Sequence, residues 1–148
     1  FIGLTLRHDR RHLIRSVMEG VVYSLRDVTE LIREMGLPLN QVRTSGGGAL
    51  SELWRQIHAD VFDSPVVTVS GAGEGGAYGA ALVAGAGVNI WPSVQAAVQV
   101  ARPETEARPD PGRAAVYEKL YPLYHDLYGR LKGTFDRLTE IVAAHQQV

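Results

Sequence analysis

The chain of 148 residues contains no cysteine. That single absence excludes a disulfide framework, a thiolate metal site and a cysteine nucleophile. A dominant sign of charge is also missing, since fifteen Lys and Arg stand against sixteen Asp and Glu, a formal net charge of -1. Such a balance lays no electrostatic footprint for nucleic acid or an anionic membrane, so neither is expected as a partner. Long apolar runs are absent as well. Charged side chains interrupt every hydrophobic segment outside the Gly/Ala-rich stretch after Ser70, and none approaches the roughly 18 residues that a membrane span needs. The apolar start Phe1-Ile2-Gly3-Leu4 precedes Arg7, Arg10 and Arg11, the reverse of a secretory leader, and the expected location is the cytoplasm. With no initiator methionine, the sequence is expected to come from a longer polypeptide.

What is present suffices for a core. With 45% hydrophobic residues and a length near the modal domain size, folding can bury roughly 70% of the unfolded chain's surface. From Arg10 to Glu34 the apolar residues recur at intervals of three and four, including Leu13, Val17, Val21, Val22, Leu25, Val28, Leu31 and Ile32. That spacing predicts one long amphipathic helix with Asp9 as N-cap and Gly36, followed by Leu37-Pro38, as the stop. Gly20 interrupts the pattern at a cost of about 1 kcal/mol against alanine, which predicts close approach of another backbone there.

Gln41 to Ser45 reads as a strand running into Gly46-Gly47-Gly48. A helix follows with Leu50, Leu53, Trp54, Ile57, Val61 and Phe62 on its apolar face, and with Ser51 and Glu52 in its first turn. Val66-Val67-Thr68-Val69 is continuously apolar or β-branched and predicts a strand covered on both faces. From Gly75 to Gly85 nearly every residue is small, which predicts a helix that another element can approach closely. Ser93 to Val100 predicts a short helix. The stretch from Arg102 to Gly112, with prolines at 103, 109 and 111, predicts an extended linker over the surface. Arg113 to about Ala144 predicts a long helix kinked near Pro122, its tyrosines forming a core stripe with polar tips at the rim. This order of elements indicates an α/β layer, but two parallel strands leave both edges unpaired. Further strands must come from unrecognised segments, from the rest of a longer chain or from a partner.

Two glycine runs invite a ligand. Gly71-Ala72-Gly73-Glu74-Gly75-Gly76 fits G-x-G-x-x-G formally, yet no acid follows about 20 residues on to hold a ribose, and Glu74 would meet the pyrophosphate. Tight packing explains these glycines better. The Ser45-Gly46-Gly47-Gly48 turn is the stronger candidate, because a strand leads into three residues without side chains just before a helix N-terminus. The turn could equally be a packing device. His8 and His12 lie four apart but lack the acid of a metalloprotease, and His58 with Asp60 reads as a packing and hydrogen-bonding pair.

Gly46-Gly47-Gly48-Ala49-Leu50-Ser51-Glu52-Leu53-Trp54-Arg55-Gln56-Ile57-His58-Ala59-Asp60-Val61-Phe62 closely resembles the C-terminal signature of the FGGY family of carbohydrate kinases. Met18-Glu19-Gly20, Glu74 to Ala81 and the terminal Tyr117, Leu120, Tyr121 and Tyr124 pattern fit the same family in the same order. The resemblance spans essentially the whole chain and is strongest toward the family's pentulose kinases.

It implies an actin-like, ribonuclease-H-like ATPase fold, helix-rich with few strands. Residues 1–148 would be the C-terminal portion of the kinase's second domain, its adenosine-binding lobe. ATP would be the co-substrate, with Mg²⁺ bound mainly by its phosphates and by residues outside this segment. By the same resemblance Gly46, Gly47 and Gly48 would lie along the adenosine and adjoining phosphate, and Ser51 would face the adenine. The helix around Gly79 and Ala80 would belong to the inter-domain hinge. The implied partners are an N-terminal sugar-binding domain and a pentulose, with a homodimer as a further expectation. The family's catalytic aspartate and Gly-Thr phosphate hairpins have no counterpart here, so no catalytic residue is assigned and the isolated segment is expected to be inactive. A strand hairpin preceding Phe1 in the family would account for the missing strands. Kinases of glycerol, gluconate, ribulose or fuculose, and a non-catalytic nucleotide-binding or assembly module, remain as alternatives.

Overall fold

The computed structural model describes residues 1–145. Asp9 opens α1 (Arg10–Glu34) by accepting the backbone N–H groups of Arg11 and His12, which gives the first turn partners it cannot find within the helix. Gly36, at φ +73, lies just past its end in the left-handed conformation that glycine adopts freely. Strand β1 is only Val42–Arg43, shorter than the pattern from Gln41 to Ser45 suggested. A 3₁₀ turn, Gly47–Leu50, leads into α2 (Glu52–Phe62), capped by Ser51. Then come β2 (Val66–Val69), a second 3₁₀ turn (Ala72–Glu74), α3 (Gly76–Gly87) and α4 (Val94–Val98). The small-residue stretch is therefore helical. Strand β3 (Pro103–Ala107) and α5 (Pro111–His145) complete the chain, with Pro122 inside the last helix.

The three strands form one sheet in the order β1-β2-β3. β2 is its centre, parallel to β1 through Val42–Val66 and Arg43–Val67, and antiparallel to β3 through Val66–Ala107, Val67–Glu106 and Thr68–Thr105. Strand β3 corrects the expectation of a surface linker. Its proline stands at the first position of an edge strand, where a missing N–H costs no ladder bond, and its charged residues sit in water. Val66, Val67 and Thr68 are all buried, as a strand covered on both faces requires.

The core joins Val22 and Tyr23 of α1, Ile57, Ala59, Val61 and Phe62 of α2, Val66, Ala107 and Tyr117. Which side of α1 it takes differs from the simplest reading of the periodicity. Val22, Tyr23, Arg26 and Thr29 are buried, whereas Ile14, Val17, Val21, Leu25, Val28 and Leu31 form an exposed row. Two polar residues enter the buried face because each is satisfied there. Arg26 donates to Glu30, Glu118 and the Val61 carbonyl and lies over the Tyr121 ring, and Thr29 donates to the Arg26 carbonyl.

Gly20 is a second correction. A Cβ there would meet nothing within 4 Å among the described residues, so no backbone closes on it. Space is equally open at Gly76 and Gly79 of α3, while the Trp91 ring packs directly on Gly85. Tyr117, Tyr121 and Tyr124 of α5 form the core stripe that the pattern predicts, whereas Tyr128 is exposed. The Tyr117 hydroxyl donates to Glu19 Oε1 at 2.6 Å and that of Tyr121 to Asp27 Oδ1 at 2.6 Å. Burial and the bond to Glu19 push the Tyr117 phenol up to about 12, so it stays a donor throughout the neutral range.

Candidate functional site

β1 and β2 run parallel, so their C-terminal ends lie at the same edge of the sheet. Each end feeds a glycine turn and then a helix, on the carboxyl-end side of the sheet at which open α/β folds take their ligands. The structure brings the two turns into contact. Gly46 N–H donates to the Ala72 carbonyl at 2.6 Å, and a Cβ on Gly75 would lie 3.7 Å from Gly46 Cα. Of the glycines from 71 to 76, which sequence spacing assigned to tight packing, only Gly71 is closely covered, by the Tyr78 ring; Gly73 and Gly75 make ordinary contacts with the first turn and Gly76 faces open space.

The three consecutive glycines have different surroundings. Gly46, at φ 81 and ψ -178, occupies a backbone region essentially reserved for glycine. Gly47 has ordinary φ, is exposed, and would place a Cβ in open space. Gly48 faces the Trp54 indole, where a Cβ would stand 3.0 Å from Nε1. The first N–H groups of a helical turn have no partner inside it, and Gly47 and Gly48 are both exposed, which leaves their N–H groups accessible to a ligand.

Ser51 Oγ accepts the Trp54 N–H at 3.3 Å, which makes this serine first of all the N-cap of α2. Its own hydroxyl proton stays available, and the residue is exposed beside the turn. Glu52 and Glu74 are the carboxylates of the two turns, and Arg55 Nη1 donates to the Ala49 carbonyl at 2.5 Å, tying the end of the first turn to α2. Leu50, 73% exposed, reaches Gly73 at 3.8 Å from that residue's built Cβ and so bridges the turns with an apolar side chain.

Beneath this edge, α2 is locked by polar contacts inside the core. His58 is buried, and its Nδ1–H donates to the Trp54 carbonyl at 2.8 Å, an assignment fixed by the carbonyl's lack of a proton. Desolvation holds its pKa below the usual imidazole value despite that bond, so the ring is neutral. Asp60, 1% exposed, accepts from Gln56 Nε2 at 2.8 Å, Asp110 N at 2.8 Å and Arg113 Nε at 2.6 Å. Both residues serve packing and hydrogen bonding, as the sequence indicates. Among the described residues no group of three His, Cys, Asp or Glu could hold a metal ion, and no helix is long and apolar enough to cross a membrane.

A sheet edge with paired glycine turns belongs to a recognisable lineage, and the model of the FGGY family of carbohydrate kinases, C-terminal domain, matches residues 1–88. The chain belongs to this family. It is 34% identical over 132 residues to a xylulose kinase of Bacillus subtilis, a match covering 88% of this chain and 26% of that protein. A gluconokinase of Bacillus licheniformis is 32% identical over 139 residues, covering 93% and 27%. Among solved structures, a ligand-bound xylulose kinase from Lactobacillus acidophilus aligns with a TM-score of 0.80 at 29% identity, over 93% of this chain and 28% of that one. The fold is that of the actin-like, ribonuclease-H-like sugar kinases, represented here by a helix-rich chain with a small sheet. The chain spans about a quarter of the length of these FGGY relatives.

Sequence reasoning singled out Gly46, Gly47, Gly48 and Ser51 as candidates but did not place the second turn against them. The signal for it was present in Gly71 and Gly75, both at positive φ. Nothing in the one-dimensional pattern says that Ala72 reaches Gly46.

Proposed function

We propose that this chain is the nucleotide-binding wall of an ATP-dependent sugar kinase, the C-terminal portion of its second domain. The observation that carries the reading is the pair of touching glycine turns at the C-terminal ends of two parallel strands, with Gly47 open to solvent. There the backbone N–H groups of Gly47 and Gly48 bind phosphate or ribose oxygens without side-chain obstruction. Ser51 offers its hydroxyl proton to a ring nitrogen of the adenine. The reaction is transfer of the γ-phosphoryl group of ATP to a hydroxyl of a pentulose, D-xylulose to D-xylulose 5-phosphate. Xylulose kinases at 34% and 32% identity support that sugar.

Phosphoryl transfer needs a positioned nucleophile and charge stabilisation together, and one wall of the site supplies neither. The base and the sugar pocket therefore lie in an N-terminal domain of the same enzyme. Mg²⁺, bound mainly by the ATP phosphates and by residues outside this segment, would supply charge neutralisation at the transferring group. The exposed apolar row of α1 and the free edge of β1 are surfaces that the rest of such an enzyme would cover.

A second sugar has a specific observation in its favour, the gluconokinase relative at 32% identity. The test is a coupled ADP-release assay on the full-length enzyme with D-xylulose, D-gluconate, ribulose, fuculose and glycerol, and on the 148-residue chain alone. The full-length enzyme should prefer xylulose, and the chain alone should be silent. Turnover by the chain alone would overturn the assignment of catalysis to the other domain, and preference for gluconate would overturn the sugar.

A further inference from the structure

Each glycine turn is backed by an aromatic ring from the helix that follows it. Trp54 is the third residue of α2, and its indole covers Gly48, where a Cβ would lie 3.0 Å from Nε1 and 3.2 Å from Cδ1. Tyr78 is the third residue of α3, and its ring covers Gly71 so closely that a Cβ would lie 2.7 to 2.9 Å from three ring atoms. The two strand-turn-helix units thus carry the same device. Trp54 is itself held by the Ser51 cap on its N–H, by the His58 bond to its carbonyl and by a T-shaped contact with the His58 ring, centroids 4.7 Å apart. The two turns that the rings cover meet at the hydrogen bond from Gly46 to Ala72.

We infer that Trp54 and Tyr78 are positioning residues for the nucleotide, each setting the height of one glycine turn and together fixing where the backbone donors of the touching turns meet the ligand. This rests on the nucleotide-binding reading above. Neither ring needs to touch the ligand; a shift of the turn by about 1 Å is enough to misplace backbone donors and cost on the order of a hundredfold. The fold contains its own control. Trp91 packs on Gly85 in the same manner but within α3, away from the turns, so its loss removes aromatic packing without moving the site.

The test uses the full-length enzyme with W54L, Y78L, W91L, W54F, G48A and the double variant G48A/W54F, measuring ATP binding by calorimetry, KM for ATP and for sugar, kcat and Tm. W54L and Y78L should raise the Kd and KM for ATP on the order of tenfold to a hundredfold, leaving the KM for sugar within about twofold. W91L should lower Tm yet keep the KM for ATP. W54F retains a ring on Gly48 and should restore ATP affinity to within about threefold of wild type. Should W54L fail to fold, the cycle with G48A decides. Crowding the indole should weaken ATP binding when Trp54 is present and much less beside the smaller ring of the W54F variant, a coupling that additive variants would not show. Equal effects of G48A in both backgrounds, or W54L and Y78L variants that lose Tm but keep ATP affinity, would overturn the positioning role. A wild-type enzyme that binds no ATP by calorimetry would instead overturn the nucleotide reading itself.

Discussion

Alanine at Gly47 and alanine at Gly46, one position apart, should have opposite consequences. Gly46 has φ 81 and ψ -178, a conformation that costs a residue with Cβ on the order of 1–3 kcal/mol. For a domain of this size each kcal/mol moves Tm by about 2–4 °C, so Gly46→Ala should lower Tm by roughly 2–12 °C. Gly47 has no such strain, and its Cβ would meet no atom within 4 Å. There alanine restricts mainly the unfolded chain, and folding should be unchanged or stabilised by about 0.4–1 kcal/mol. On the proposed nucleotide reading, the same methyl group stands where a phosphate or ribose oxygen would come within about 2.9 Å of a backbone N–H. Displacing that oxygen should raise the Kd for ATP about tenfold, or about 1.4 kcal/mol. The assay pairs thermal unfolding followed by circular dichroism with calorimetric titration of ATP into the full-length enzyme, and Gly47→Val should deepen the binding defect. If Gly47→Ala binds ATP like wild type, the open glycine is not a ligand contact. If it unfolds as early as Gly46→Ala, the assignment of strain to Gly46 alone is wrong.

Further tests address the scaffold. Asp60→Ala leaves the Asp110 N–H and Arg113 Nε without their acceptor and should cost about 1–3 kcal/mol in urea denaturation, with Asp60→Asn intermediate. His58 is neutral in the fold with a pKa held below its unfolded value of about 6.5, so the unfolded state binds the extra proton; stability should be full above that pH and fall as pH drops below it. His58→Phe should flatten that slope between about pH 5 and 7 in equilibrium unfolding, the imidazole range, and an unchanged slope would assign it elsewhere. The Tyr23 hydroxyl is buried without a partner among the described residues, so Tyr23→Phe should leave the chain as stable or up to about 1 kcal/mol more stable, measured by thermal unfolding. A clear loss would reveal a partner for that hydroxyl.

Local chemistry was legible wherever neighbours in sequence settle the outcome. Asp9, Gly36 and Ser51 mark helix ends because caps act over three or four residues, and the apolar spacing located α2 and α5. Val66 to Val69 announced a buried strand by its β-branched run, and Gly46-Gly47-Gly48 with Ser51 announced a turn that a ligand could approach. The resemblance carried by Gly46 to Phe62 already named the family that the comparisons establish.

The tertiary structure decided what depends on distant partners. Pro103 to Ala107 looks like a linker because an edge strand needs no apolar run; it is a strand because β2 offers it a ladder. Periodicity placed apolar residues around much of α1, and only the satisfaction of Arg26 by Glu30, Glu118 and Val61 O selected the face that is buried. Gly20 was read as a close contact and stands in open space, whereas Gly48 and Gly71 lie under Trp54 and Tyr78. A glycine reports that a side chain is absent, but what fills or avoids that space is fixed by chain segments that sequence spacing does not bring together. The sequence therefore determined the turns and their helices, and the packing of β1 beside β2 determined that the two turns touch.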